Sequence, residues 1–270
     1  FNMQEIKMKE IDLSTLQKLQ NQGTKSTVYT DGKMCYKFLD GLYPNEKRDL
    51  YHKFLDMDGI EIDHVLLPKD LIIKNGELNG YTMQYFQDSM PLSDKFLRRY
   101  FNCQELFEYV EKASKILRNI HNQDIFCQDL SFENILINKE GNIAFCDIDG
   151  CTYKNHTSPF YSILLKKFLV DYRKSKVSSF EDVDKISMIL SFYLILYCEL
   201  LQKISRRQYD ILANNIHTLE NLREVFNMLI NKKVKISNIP YLDEVIDLND
   251  NYIVDREKVL SLKQKIFRRL

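Results

Sequence analysis

The segment Cys127-Gln-Asp-Leu-Ser-Phe-Glu-Asn-Ile-Leu-Ile-Asn-Lys-Glu-Gly-Asn-Ile-Ala-Phe-Cys-Asp-Ile-Asp-Gly150 carries two short apolar runs around a polar turn. Ile135-Leu136-Ile137 and Ile143-Ala144-Phe145-Cys146 are β-prone, and Asn138 to Asn142 between them supplies the Asn and Gly that a hairpin connection needs. The pattern predicts a hairpin with polar residues at its open end. Asp129 and Asn134 precede the first strand and Asp147 follows the second, so the three can converge on one small volume. Three oxygen-bearing side chains gathered in this way suit a hard cation such as Mg²⁺ carried in by phosphates. The plainer reading is an ordinary hairpin whose carboxylates are solvated at its ends.

Asp129-Leu-x-x-x-Asn134, followed thirteen residues later by Asp147, resembles the catalytic loop and metal-binding Asp of the protein-kinase fold. The resemblance implies that Asp129 accepts the proton of an attacking hydroxyl. It also implies that Asn134 and Asp147 hold Mg²⁺ on the phosphates of ATP. It spans roughly residues 16 to 200, and its strongest motifs lie between 129 and 147.

Length and charge fit that expectation. A chain of 270 residues buries a sizeable core and suits one bilobal unit or two intimate domains. Lys+Arg and Asp+Glu are both 38, which gives no argument for broad electrostatic attachment to nucleic acid or to a membrane. Six cysteines, without a Cys-x-x-Cys pair, and no basic-apolar leader point to a reduced, cytoplasmic protein. The apolar run Ile186 to Leu200 is interrupted by Ser191, Cys198 and Glu199 and reads as a buried helix.

Upstream, residues 15 to 39 read as three strands: Leu16 to Gln20, Thr27 to Thr30, and Lys33 to Leu39 after the turn signal Asp31-Gly32. The loop from Asn21 through Gly23 and Ser26 to Val28 resembles the kinase phosphate-covering loop with only its middle glycine kept. Lys37 matches the family's phosphate-contacting lysine, with Lys33 a rival at even spacing. The helical run from Pro44 to Met57 offers Glu46 as the partner that would aim Lys37, although an acidic residue near a helix start is also favoured by the helix dipole. Val65-Leu-Leu-Pro, Asp70 to Lys74 and Gly80 to Phe86, around the turn signal Asn75-Gly76, complete an expected five-stranded N-terminal sheet. By the same resemblance Met83 to Ser89 is the hinge, where Gln84 and Phe86 meet the adenine, and Val28, Cys35 and Leu136 sandwich its ring.

Downstream the pattern turns helical. Ser93-Asp94 can cap a short helix, and Leu106, Val110, Ala113, Leu117 and Ile120 fall on one face of the next, which ends at His121, read as a helix-end residue. The polar stretch Cys151 to Ser158 stands in register with the activation segment, but no Ala-Pro-Glu closes it. Asp184-Lys-Ile-Ser187 resembles the start of the long buried helix of the C-terminal lobe, where a buried Asp binds the catalytic-loop backbone. The remainder reads as about three helices, and the basic runs Lys232 to Lys235 and Lys263 to Arg269 as solvated faces.

Three departures from the family matter. Gln128 stands where an Arg pairs with a phosphorylated activation loop, so activity is expected not to depend on loop phosphorylation. Ser131 replaces a Lys near the transferring phosphate. Asp149 replaces the Gly of the Asp-Phe-Gly triplet, which would add a second carboxylate to the metal cluster. The expected architecture is α+β and bilobal, residues 1–86 forming a nucleotide-covering sheet with one helix and 87–270 a helical lobe carrying the hairpin. The expected function is Mg²⁺- and ATP-dependent phosphoryl transfer to a Ser or Thr hydroxyl of a protein, the chain itself included. Two alternatives stand beside it: a small-molecule kinase of the aminoglycoside or choline type, and a pseudokinase serving as a binding or regulatory module.

Overall fold

The structure, a computed structural model, describes residues 3–19, 26–157, 177, 179–196, 237–249 and 251–268. Gly23, Ser158, Cys198 and the basic run Lys232 to Lys235 lie outside the described residues, as do most of the segment beyond residue 158 and the helical stretch between 197 and 236. The chain is α+β and divides into two compact units. One comprises Phe1–Ser89, Leu136–Asp149 and Tyr153–His156, and the other Met90–Ile135, Gly150–Thr152 and Thr157–Leu270. From Leu136 onward the hairpin belongs to the first unit, whereas the sequence grouped it with residues 87–270.

The first unit is built on a mainly antiparallel six-stranded sheet: β1 (Glu5–Lys7), β2 (Gln17–Lys18), β3 (Thr27–Thr30), β4 (Met34–Phe38), β5 (Leu71–Lys74) and β6 (Glu77–Gln84), in the order β1-β5-β6-β4-β3-β2. Five strands were expected. The sixth, β1, runs parallel to β5 at the edge, with the Leu71 N–H donating to the Gln4 carbonyl at 2.8 Å. The strand read from Leu16 to Gln20 shortens to Gln17–Lys18, and the Val65-Leu-Leu-Pro run forms only a single bridge, from Val65 to Phe145.

The two turn signals flanking the central strands hold. Asn75 and Gly76 both have positive φ (54° and 81°), the backbone of a tight turn matched to strand twist. At the β3–β4 turn the Asp31 Oδ1 accepts from the N–H groups of Lys33 (2.8 Å) and Met34 (2.7 Å). Between β4 and β6, Gly80 lies opposite Phe38, and a Cβ there would collide with the backbone carbonyl of Lys37. Glycine is therefore what lets β6 close on β4 beside the lysine. Helix α1 (Pro44–Asp56) starts with proline in its first turn, and Phe54, fully buried, packs edge-on against Tyr81 at 5.1 Å between ring centroids.

Among its described residues the second unit carries four α-helices: α2 (Leu92–Lys95), α3 (Cys103–His121), α4 (Phe180–Leu196) and α5 (Arg256–Arg268). Ser93 and Asp94 lie inside α2, whose N-cap is Pro91, so the capping role expected of them is not taken up. Asn102 caps α3 instead, its Oδ1 accepting from the Gln104 N–H at 2.9 Å. All five residues of the expected α3 face are buried, and α4 is buried along nearly its whole length. Tyr100–Asn102 pairs antiparallel with Ile253–Asp255. Among the described residues no helix is long and apolar enough to cross a membrane, and the five described cysteines form no disulfide.

Candidate functional site

In the first unit Lys37 sits on β4 between Val28 of β3 and Tyr81 of β6 and is only 5 % exposed, whereas its rival Lys33 stays in the exposed β3–β4 turn. A central strand with neighbours on both sides turns every second side chain inward, and Lys37 takes an inward place over the Tyr81 ring, 5.6 Å from its centroid. Its ammonium donates to Asp147, 110 residues away, and to both oxygens of Asp149 at 2.9 and 3.0 Å.

These carboxylates arrive on the hairpin. Asn138 organises the turn, its carbonyl accepting from the Gly141 N–H and its Oδ1 from the Asn142 N–H. The second strand, Ile143–Phe145, docks through Phe145, which donates to His64 O and accepts from Leu66 N–H, both at 2.8 Å. Asp147 then takes a left-handed conformation (φ 62°) and Ile148–Gly150 makes a single 3₁₀ turn, which brings Asp147 and Asp149 to the same lysine. A non-glycine residue in this conformation is strained, and such strain is held where surrounding contacts over-determine it.

The two carboxylates differ. The Asp149 side chain is 14 % exposed and that of Asp147 is 49 %. Burial opposes ionisation of Asp149, but Lys37 outweighs it and holds the carboxyl below the usual range. Partial loss of hydration, with Asp149 as a like-charged neighbour, holds the half-exposed Asp147 above that range against the pull of Lys37. Burial also works against the charge of Lys37, and the two aspartates, Asp149 foremost, overcome it and keep the ammonium protonated well above the ordinary lysine range.

Glu46 does not partner Lys37. Its carboxylate turns back on its own helix and accepts from the Tyr43 N–H at 2.7 Å, the dipole-favoured role of an acidic residue in a first turn. What α1 contributes is Lys53, buried, whose ammonium donates to the backbone carbonyl of Asp149 at 2.6 Å. The sequence reading missed Lys53, yet a signal was present: Leu50, Lys53, Phe54 and Met57 fall at the i, i+3, i+4, i+7 positions of a core stripe.

Val28, Cys35 and Leu136 meet in one apolar cluster with Leu39, Phe54, Tyr81, Met83 and Ala144, and Phe86 packs against it. Burial pushes the Cys35 thiol up to about 11, so this residue is an inert member of the core. Gln84, at the end of β6, is exposed opposite Met34, and Tyr85 N–H donates to Lys33 O at 3.2 Å. Ser26, half-buried, immediately precedes β3.

In the second unit the segment ahead of the hairpin is anchored by Asp184 of α4, which is fully buried. Its carboxylate accepts from the backbone N–H groups of Cys127 (2.6 Å) and Gln128 (2.7 Å), with His121 Nε2 at 3.1 Å. The structural role expected of a buried Asp184 is the one it has. Gln128 carries a left-handed φ of 66°, and its side-chain amide donates to Phe180 O at 3.1 Å. His121 is a buried helix-end residue between Asp184 and the Tyr241 hydroxyl, 2.9 Å from Nδ1. Asp129 follows this anchored pair, and the Asn134 Nδ2 donates to its carbonyl at 2.9 Å, so the side-chain atom Asn134 would offer a cation is Oδ1. Thr152 and Tyr153, candidate phosphorylation sites of the expected activation segment, are buried.

In the first unit Asp147 is a half-exposed carboxylate tethered beside a lysine; in the second, Asn134 has its Oδ1 as the oxygen of an amide whose Nδ2 is engaged by Asp129 O. No protein-family model and no curated protein matches this sequence.

Proposed function

We propose that the chain is a Mg²⁺- and ATP-dependent phosphotransferase of the bilobal protein-kinase fold, acting on Ser or Thr hydroxyls of a protein, itself included. The observation that carries the reading is the meeting of Lys37 with Asp147. Both were singled out from the sequence for phosphate chemistry, and they share an ion-paired cluster although they lie 110 residues apart. The Asp184 clamp on Cys127 and Gln128 adds to it, because it fixes the backbone on which Asp129 is carried.

In this reading Lys37 binds the non-transferred phosphates of ATP as a cation. Asp129 orients the acceptor hydroxyl and takes its proton as the γ-phosphoryl group moves to the hydroxyl oxygen and ADP leaves. Asn134 and Asp147 would hold Mg²⁺, which when bound supplies neutralisation of phosphate charge. Gln128 leaves no guanidinium for a phosphorylated loop, so activity is independent of such a modification.

The test is a thermal-shift titration with ATP and Mg²⁺, followed by mass detection of phosphorylated protein. Wild type gains stability and transfers phosphate, whereas Asp129→Asn keeps the shift and loses transfer by roughly a hundredfold or more, the scale of general-base removal. Nucleotide binding with no transfer to any acceptor would sink the phosphotransferase reading in favour of a binding module. The lack of Ala-Pro-Glu favours a second reading, a small-molecule kinase, and phosphate recovered on an added small alcohol but on no protein would select it.

A further inference from the structure

We propose that Asp149 is the positioning residue for Lys37, in place of a carboxylate from α1, and that α1 acts through Lys53, which pins the Asp149 backbone. The inference rests on the phosphotransferase reading for its functional meaning, although the contacts stand without it.

Three observations lead here. Asp149 engages Lys37 with both oxygens at 2.9 and 3.0 Å, a grip that restricts the ammonium more than a single contact does. Asp149 is the more enclosed of the two aspartates, and an enclosed ion pair is screened less by water than an exposed one. Lys53, buried in the core stripe of α1, spends its ammonium on the Asp149 carbonyl at 2.6 Å, while Glu46 is turned to Tyr43. The charges are thus exchanged between the two elements: the helix supplies a cation and the loop after the hairpin supplies the anion. Asp147, half exposed and held by the same lysine, is left as the carboxylate able to change partners when a cation arrives.

The test uses the whole chain with Asp149→Asn, Asp149→Glu, Lys53→Met, Lys37→Met and Glu46→Gln. In thermal unfolding, Lys37→Met and Asp149→Asn are non-additive, the double variant falling about 3 °C short of the summed single shifts, while Lys37→Met and Glu46→Gln add. In the transfer assay Asp149→Asn lowers kcat by roughly a hundredfold, the scale of loss when a group is displaced by about an ångström. KM for ATP moves much less, and Asp149→Glu recovers part of the rate. Lys53→Met lowers kcat in the same direction by a smaller factor. Additive Lys37 and Asp149 shifts, or coupling of Lys37 to Glu46 instead, would overturn the proposal. So would an Asp149→Asn enzyme with unchanged kcat, or one whose only defect is a raised Mg²⁺ requirement, since that marks Asp149 as a metal ligand. If Asp149→Asn does not fold, Asp149→Ser, which also removes the carboxylate, carries the coupling measurement. If wild type neither binds nor transfers, the phosphotransferase reading fails, and the unfolding cycle alone decides whether Asp149 holds Lys37.

Discussion

Asp184 in the second unit and Asp149 in the first are both withdrawn from water, with side chains 0 % and 14 % exposed, yet they are stabilised by different kinds of partner. Asp184 is satisfied by two backbone N–H groups and an imidazole, all fixed by the fold. Asp149 is satisfied by the ammonium of Lys37, a side-chain donor that also serves Asp147. A carboxylate held by backbone dipoles is an anchor, because nothing can replace those donors without unfolding the segment. A carboxylate held by a shared lysine depends on a side chain that another charge can engage, and of the two here Asp147 is the one water already reaches. The difference separates two kinds of burial: the Asp184 clamp fixes backbone, whereas the Lys37 cluster joins side chains alone, of which Asp147 is the half-exposed member.

The largest effect expected from breaking that contrast is at Asp184. Cys127 donates to Oδ2 and Gln128 to Oδ1, so Asp184→Asn has only one acceptor oxygen and must turn an NH₂ toward a buried N–H. The expected cost is about 3 kcal/mol in urea unfolding, from one orphaned donor facing another in a dry site. Next comes Lys37→Met, which leaves Asp149 enclosed without its main counter-charge and costs about 2 kcal/mol, with Lys53 nearby limiting the loss. Asp147→Asn at the same cluster stays within about 0.5 kcal/mol, because half of that side chain is already solvated, and under the proposed phosphotransferase function it would remove the Mg²⁺ dependence of ATP binding. Equal destabilisation at Asp147 and Asp184 would erase the distinction between backbone anchor and side-chain cluster.

How much of this was legible in sequence follows the range of each interaction. The turns at Asp31-Gly32, Asn75-Gly76 and Asn138 to Asn142 are local chemistry, and α1 and α3 are local periodicity, so they read directly. Strand β1 did not: three residues with an exposed, half-buried, exposed pattern acquire strand character only by pairing with β5, far along the chain. Val65-Leu-Leu-Pro reads as a strand by composition but is used as the docking rail for Phe145. Lys37, Asp147 and Asp184 were named through the family resemblance, and it pointed to Glu46 rather than to the aspartates that Lys37 contacts. Glu46 and Asp149 are equally plausible carboxylates in one dimension. The choice between them depends on Glu46 being consumed by the Tyr43 N–H and on Lys53 being drawn inward with the α1 core stripe.

Asp31 isolates what burial adds to the Asp184 anchor. Like Asp184 it accepts from two backbone N–H groups, of Lys33 and Met34, but it lies on the surface and both donors reach the same oxygen, Oδ1. Those two bonds, Met34 first, hold its carboxyl below the usual range. Because the folded pKa is depressed, the stabilisation is fully present above the unfolded value near 3.9 and is lost as pH falls through the folded value beneath it. Asp31→Asn retains the one oxygen that both donors use, so at neutral pH it costs less than about 1 kcal/mol after solvent screening. Measured by urea midpoints, wild type and Asp31→Asn should converge as pH falls through the depressed folded value and separate slightly at neutral pH. A loss at Asp31 as large as that at Asp184 would mean that acceptor count alone, and not enclosure or the splitting of donors between two oxygens, makes a carboxylate an anchor in this chain.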